Sequence, residues 1–208
     1  MALTVNDLIY AYINGHFPMA DAANGAIFWY APDPRAIIPI HTYKASKSLK
    51  PILNKKQFDI YINRDFAQVM SHCALPRFEE DETWISKEIK EAYCDLNSLG
   101  LAHSVEAYEN DILVGGLYGV SIGGAFFGES MFYKVPNASK VAFHYLIEIL
   151  KIKKFGLLDT QFMNDNVLRF GAIEIPQEAY EHELAEAIAL KTNFVSNKGS
   201  VGFEEIVP

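Results

Sequence analysis

The chain of 208 residues contains only two cysteines, Cys73 and Cys94. They lie far apart and show no metal-ligand spacing, which excludes a disulfide scaffold and a cysteine-based zinc site. Both read as small core residues of a reduced, cytoplasmic protein. No apolar run approaches the roughly 20 residues that span a bilayer, so no membrane partner is expected. The first residues are interrupted by Asn6 and Asp7 and lack a basic n-region, so they do not read as a signal peptide. Positive charge is scarce overall. The net charge of −8 argues against indiscriminate nucleic-acid binding. Charge is unevenly placed. Between Pro34 and Phe58 there is no Asp or Glu, while Arg35, Lys44, Lys47, Lys50, Lys55 and Lys56 supply positive charge. That segment can receive a polyanion on an otherwise acidic protein. No internal repeat and no low-complexity linker are present.

With half its residues hydrophobic, the chain can bury one large core or two small ones. Thr4 to Gly15 reads as a helix with a capping box from Thr4 and Asp7 and an apolar face of Leu8, Ile9, Tyr12 and Ile13. Pro32, Pro34 and Pro39 forbid a helix in the next segment. Ile27–Tyr30 and Ala36–Ile38 read as short strands around a Pro-Asp-Pro turn, with Arg35 projecting outward. Trp29 and Tyr30 read as core, or as an aromatic wall for a base or ligand. Ala45–Leu53 reads as a helix carrying Lys44, Lys47 and Lys50 on one face, as a solvated surface or a phosphate contact. A strand (Phe58–Asn63), a helix (Phe66–Cys73) and an acidic loop (Glu79–Glu82) follow. Ile85, Ile89, Ala92, Leu96 and Leu99 mark the buried stripe of a further helix that ends at Gly100. Trp84, just before it, is core anchor or ligand wall.

After Gly100 three antiparallel strands are expected, turning at Asn110-Asp111 and at Ile122-Gly123-Gly124. A helix (Ala138–Lys153), a strand (Leu157–Phe162), a short helix, a strand and a closing helix (Gln177–Leu190) complete the pattern. The tail has no clear period and reads as loosely held. The expected fold is α+β: a small N-terminal α/β domain over residues 1–100 and a second domain over 101–208. No long apolar edge stands out, so a monomer is expected.

The chemistry concentrates in two strands. Alternation places Phe127, Glu129 and Met131 on one face, and Leu157, Asp159 and Gln161 on another. If both faces look into one cavity, it holds two carboxylates and an amide among apolar side chains. A buried acid needs a partner. Lys140 or His103 would be an internal one, and a cationic substrate an external one. His103 alone reads as structural, and Ser104 lacks a nucleophile-elbow pattern. The order β-β-β-α-β-α resembles acyltransferases of the GCN5-related N-acetyltransferase type. Those bind coenzyme A through a Gly-rich loop before the helix. Here that place reads YKVPNASK, with Pro136 and no glycine, which points to a different acyl donor. An acetyl-coenzyme A-dependent N-acetyltransferase and a non-catalytic tRNA-binding module remain as alternatives.

The segments GHFPMAD, WYAPDPRAIIP, AHSVEAY, LVGGLYGV, FFGESMF, NASK, LLDTQF and FGAIEIP occur in this order. Together they resemble the leucyl/phenylalanyl-tRNA–protein transferase family over roughly residues 5 to 190. The resemblance implies transfer of Leu or Phe, and Met less well, from aminoacyl-tRNA to the N-terminal Lys or Arg of acceptor proteins, which marks them for N-degron proteolysis. It implies no cofactor and no metal. It assigns catalysis to Asp159, Gln161 and Glu129. The aminoacyl pocket would draw on Leu117, Ser130, Met131 and Leu146, with Trp29 and Trp84 near the tRNA 3′ end. Lys44, Lys47 and Lys50 would contact the tRNA backbone. Longer members use several Arg in that cluster, whereas this one is all Lys, a point charge without the guanidinium fork.

Overall fold

Thr4 starts the first helix as expected. Its hydroxyl accepts from the Asp7 N–H at 3.2 Å, and the Asp7 carboxylate accepts from the Thr4 N–H at 2.9 Å, which satisfies two orphan donors of the first turn. The structure is a computed structural model that describes residues 3–76, 83–195 and 200–206. The acidic loop Glu79–Glu82 lies outside the described residues. The elements in chain order are α1 (Val5–Ile13), β1 (Phe17–Ala20), β2 (Ile27–Tyr30), β3 (Arg35–Ile37), α2 (Lys50–Asn54), β4 (Asp59–Ile62), α3 (Phe66–Cys73), α4 (Lys87–Ser98), β5 (Ala102–Glu109) and β6 (Ile112–Ile122). They continue with β7 (Ala125–Tyr133), α5 (Ala138–Ile152), β8 (Leu157–Gln161), α6 (Asp165–Arg169), β9 (Ile173–Ile175), α7 (Gln177–Ile188) and β10 (Val201–Gly202).

One sheet runs β10-β4-β5-β6-β7-β8-β3-β9, and β1 and β2 form a separate hairpin. All pairings are antiparallel except β7 with β8. Gly100 falls between α4 and β5, and β3 and β4 from before it pair with β8 and β5 from after it, so the sheet is continuous across that point. The fold is mixed α+β. Among the described residues no helix is long and apolar enough to cross a membrane.

Each face of the sheet is covered. Residues of α1, α3, α4 and α7, such as Leu8, Val69, Ile89 and Leu184, pack with Val120, Phe127 and Leu157 on one face. Residues of α5, such as Val141, Leu146 and Leu150, pack with Leu117, Phe126 and Leu158 on the other. Gly115 lets the start of α5 approach β6: a Cβ there would stand 2.5 Å from the Ala138 Cβ.

Several expectations are corrected. The helix over 45–53 is only α2, because Pro51 is tolerated only in a first turn. Lys44 and Lys47 therefore lie on irregular chain before it, not on a shared helix face. Arg35 does not project outward and is fully buried. Leu99 caps α4 and is exposed rather than part of its buried stripe. Strand β1 was not expected, and its two-stranded hairpin tolerates Pro18 opposite Trp29. The tail is not loose throughout: Phe194 is fully buried against Phe126 and His103, and β10 pairs with β4.

Candidate active site

Strands β7 and β8 run parallel only from Ala125 to Phe127 and from Leu157 to Asp159. Past that point β7 changes register. Gly119 faces Gly128 and Tyr118 faces Ser130, so Glu129 is the extra residue of a β-bulge. The bulge inverts the alternation. Phe127 packs on the α1–α4 side, whereas Met131 packs on the α5 side. Phe127, Glu129 and Met131 therefore do not share one face, which corrects the simple alternating reading. The unpaired Glu129 is left half-buried in the gap.

That gap is a cavity of about 710 Å³, within the usual range for small-molecule sites. Its walls are apolar: Leu117, Met131, Phe143, Leu146, Leu158, Val167 and Phe170 line it, with Phe143 and Phe170 stacked at 3.9 Å. Glu129, Ser130, Gln161 and Trp84 also line it, and so do Asn164, Asp165 and Asn166 around α6.

Glu129 is held by three groups. Tyr12 OH donates to its Oε1 at 2.6 Å, Tyr93 OH to its Oε2 at 3.4 Å, and Gln161 Nε2 to its Oε1 at 2.9 Å. The two tyrosine hydroxyls also bond each other. Neither Lys140 nor His103 is the partner of Glu129. Lys140 is exposed, and buried His103 bonds Asn63 and the Gly100 carbonyl. Burial pushes the Glu129 carboxyl up to about 7, with Asp159 adding to the rise, against the hydrogen bonds from Tyr12, Gln161 and Tyr93. Burial likewise pushes both tyrosine hydroxyls up, so they act as donors.

Asp159 is placed differently. It is fully buried and does not line the cavity. Its cation is Arg35, whose Nε and Nη2 meet Oδ1 and Oδ2 at 2.9 and 2.6 Å. Glu129 is thus open to the cavity and Asp159 is closed to it.

Leu117, Ser130, Met131, Leu146 and Trp84 thus meet Glu129 and Gln161 around one cavity. Trp29 does not line it and stands 41% exposed on the β1–β2 hairpin beside exposed Phe28 and Tyr30. Lys44, Lys47 and Lys50 are exposed and away from it, with no ion pair among the described residues. Among the described residues no group of three or more His, Cys, Asp or Glu is placed to hold a metal. Sequence reasoning missed Tyr12, Tyr93, Arg35 and Tyr180. Tyr12 sat within an apolar helix face and Arg35 within a basic segment, and neither pattern marks a hydrogen bond across the fold.

The family model described as leucyl/phenylalanyl-tRNA protein transferase matches residues 37–185, and the model for its N-terminal domain matches residues 1–33. The leucyl/phenylalanyl-tRNA–protein transferase of Prosthecochloris aestuarii is 51% identical over 93% of this chain and all of its own length. That of Chlorobaculum parvum is 50% identical over the same shares. The structure of L-PGS from Bacillus licheniformis superposes with a TM-score of 0.44 at 13% identity, covering 86% of this chain and 61% of that one, a likeness too low to carry inference. The chain belongs to the leucyl/phenylalanyl-tRNA–protein transferase family, a family of enzymes that transfer aminoacyl groups.

Proposed function

We propose that this enzyme transfers Leu or Phe, and Met less well, from aminoacyl-tRNA to the N-terminal Lys or Arg of acceptor proteins in the cytoplasm, as a monomer. The product would carry a destabilising N-terminus of the N-degron type. The observation that carries the reading is the Glu129–Gln161 pair set in the wall of an apolar cavity of about 710 Å³. The Leu or Phe side chain would fill the apolar part, among Leu117, Met131 and Leu146. Trp84 and Trp29 would receive the tRNA 3′ end, and Lys44, Lys47 and Lys50 its phosphates. The β5–β8 region with α5 would serve as a GCN5-related acyltransferase core, and the chain before Gly100 as the tRNA-binding part.

The aminoacyl ester is already activated, so orientation of the acceptor amine can supply much of the rate. The Gln161 side-chain oxygen would accept from the α-amine, while one N–H of the same amide donates to Glu129. The amine nitrogen bonds the ester carbonyl carbon, and its proton passes to Glu129. The bond to the ribose oxygen then breaks, and that oxygen takes the proton back. The test is transfer of labelled Leu or Phe from charged tRNA to a peptide beginning with Lys or Arg. A matched peptide beginning with Ala should remain unlabelled, and equal labelling of all three peptides would overturn the acceptor assignment.

A further inference from the structure

We propose that Arg35 and Tyr180 are positioning residues for this transfer: together they fix the Asp159 carboxylate, and Asp159 fixes the backbone that aims Gln161 into the cavity. The inference rests on the reaction proposed above.

The carboxylate of Asp159 is fully subscribed. Oδ1 accepts from Arg35 Nε at 2.9 Å and from the Gln161 backbone N–H at 2.8 Å. Oδ2 accepts from Arg35 Nη2 at 2.6 Å and from Tyr180 OH at 2.7 Å. A carboxylate offers about four lone-pair sites, and Arg35, Asp159 and Tyr180 are each fully buried. Asp159 thus has neither a free oxygen nor an opening through which to touch a substrate. Its influence on the reaction runs through Gln161.

Gln161 needs that hold. Its φ of +66° lies in the left-handed region, which crowds the Cβ of any residue other than glycine. The pairing of β3 with β8 is irregular at the same point, where Ala36 faces Gln161 and Ile37 faces Asp159. The turned backbone carries the side-chain amide to Glu129 across the gap between β7 and β8. The Asp159 bond to the Gln161 N–H sits on that turn.

Arg35 is fixed in its turn. Nη1 donates to the Gly15 carbonyl at 3.0 Å, and the guanidinium lies over the rings of Phe17 and Tyr180, 4.9 and 4.5 Å from their centroids. Gly15, with φ +76°, leaves room for this: a Cβ there would stand 3.1 Å from the Tyr180 ring. The C-terminal end of α1, β3, β8 and α7 therefore converge on one carboxylate. A lysine at 35 would keep the charge and lose the fork.

The test uses the full chain, charged tRNA and a peptide beginning with Lys, with variants Y180F and R35K. Y180F keeps the ring over Arg35 and removes one hydroxyl. It should lower kcat between about tenfold and a hundredfold at unchanged KM for charged tRNA, with a far-UV spectrum and melting midpoint near wild type. R35K, which keeps the charge and loses the fork, should lower kcat as well. Wild-type kcat in Y180F overturns the inference, and so does a loss that merely tracks the unfolded fraction. Absence of transfer by the wild type overturns the proposed reaction and this inference with it, whereas an active wild type with an equally active Y180F overturns this inference alone.

Discussion

The side-chain amide of Gln161 donates to Glu129 at 2.9 Å, and this hydrogen bond closes the gap between two strands that have stopped pairing. It ties the two side chains to each other at the cavity wall. It also makes Glu129 the carboxyl at the cavity whose charge state is set by its neighbours.

Those neighbours decide a pH profile. Glu129 titrates at about 7 because burial disfavours its charge more than Tyr12, Gln161 and Tyr93 restore it, with Asp159 adding to the rise. Tyr118 and Arg35 also feel its charge. A proton acceptor must be deprotonated, so kcat should rise with pH through about 7. Glu129→Gln should remove that rise and lower kcat by about 10²–10⁴. A variant that keeps the wild-type rise would show that another group titrates.

Leu117 lines the cavity from β6, opposite Met131 on β7. Leu117→Phe should shrink the space for the donor side chain. Phe needs more room than Leu, so kcat/KM for Phe-tRNA should fall about tenfold relative to Leu-tRNA. Competition between the two charged tRNAs measures the ratio, and an unchanged ratio would place the donor side chain elsewhere.

Much of the fold was legible because its second half obeys simple periods. The turn at Asn110 and Asp111, both with positive φ, lies where two polar residues interrupt strands. The helix over 138–152 follows an apolar stripe. Glu129, Asp159 and Gln161 stood out as polar residues in apolar strands. What was not legible is where alternation breaks. The bulge at Glu129 follows from the partner strand, against which one residue is left over. The partner of Asp159 lies 124 residues away in sequence, and local pattern carries no record of such a pairing. Likewise, the spacing of Lys44, Lys47 and Lys50 suggested a helix face, but Pro51 moved the helix start past two of them.

The three lysines still cluster on an exposed segment free of acids. Replacing all three by Ala should leave the melting midpoint unchanged, because none packs in the core. The affinity for charged tRNA should fall, and the slope of log affinity against log salt should shrink by about one for each phosphate that a lysine no longer neutralises. Filter binding over a salt series gives the slope. An unchanged slope would move the tRNA backbone elsewhere on the surface.

His103 and Glu129 should bend the stability curve in opposite directions. His103 is buried between Asn63, the Gly100 carbonyl and the Phe194 ring, and burial lowers its pKa from 6.5 to about 4. The unfolded chain then binds the extra proton first, so stability is full above about 6.5 and is lost as pH falls toward about 4. Glu129 is raised from 4.5 to about 7. The folded chain holds the extra proton there, so its contribution is full below about 4.5 and is lost as pH rises through about 7. Each effect is of order 3 kcal/mol, and between the two ordinary values they oppose each other. Urea titrations at a series of pH values separate them. Relative to wild type, His103→Gln should gain stability as pH falls below about 6.5. Glu129→Gln should gain it as pH rises above about 4.5. Difference curves that are flat with pH would show that neither side chain changes its proton affinity on folding.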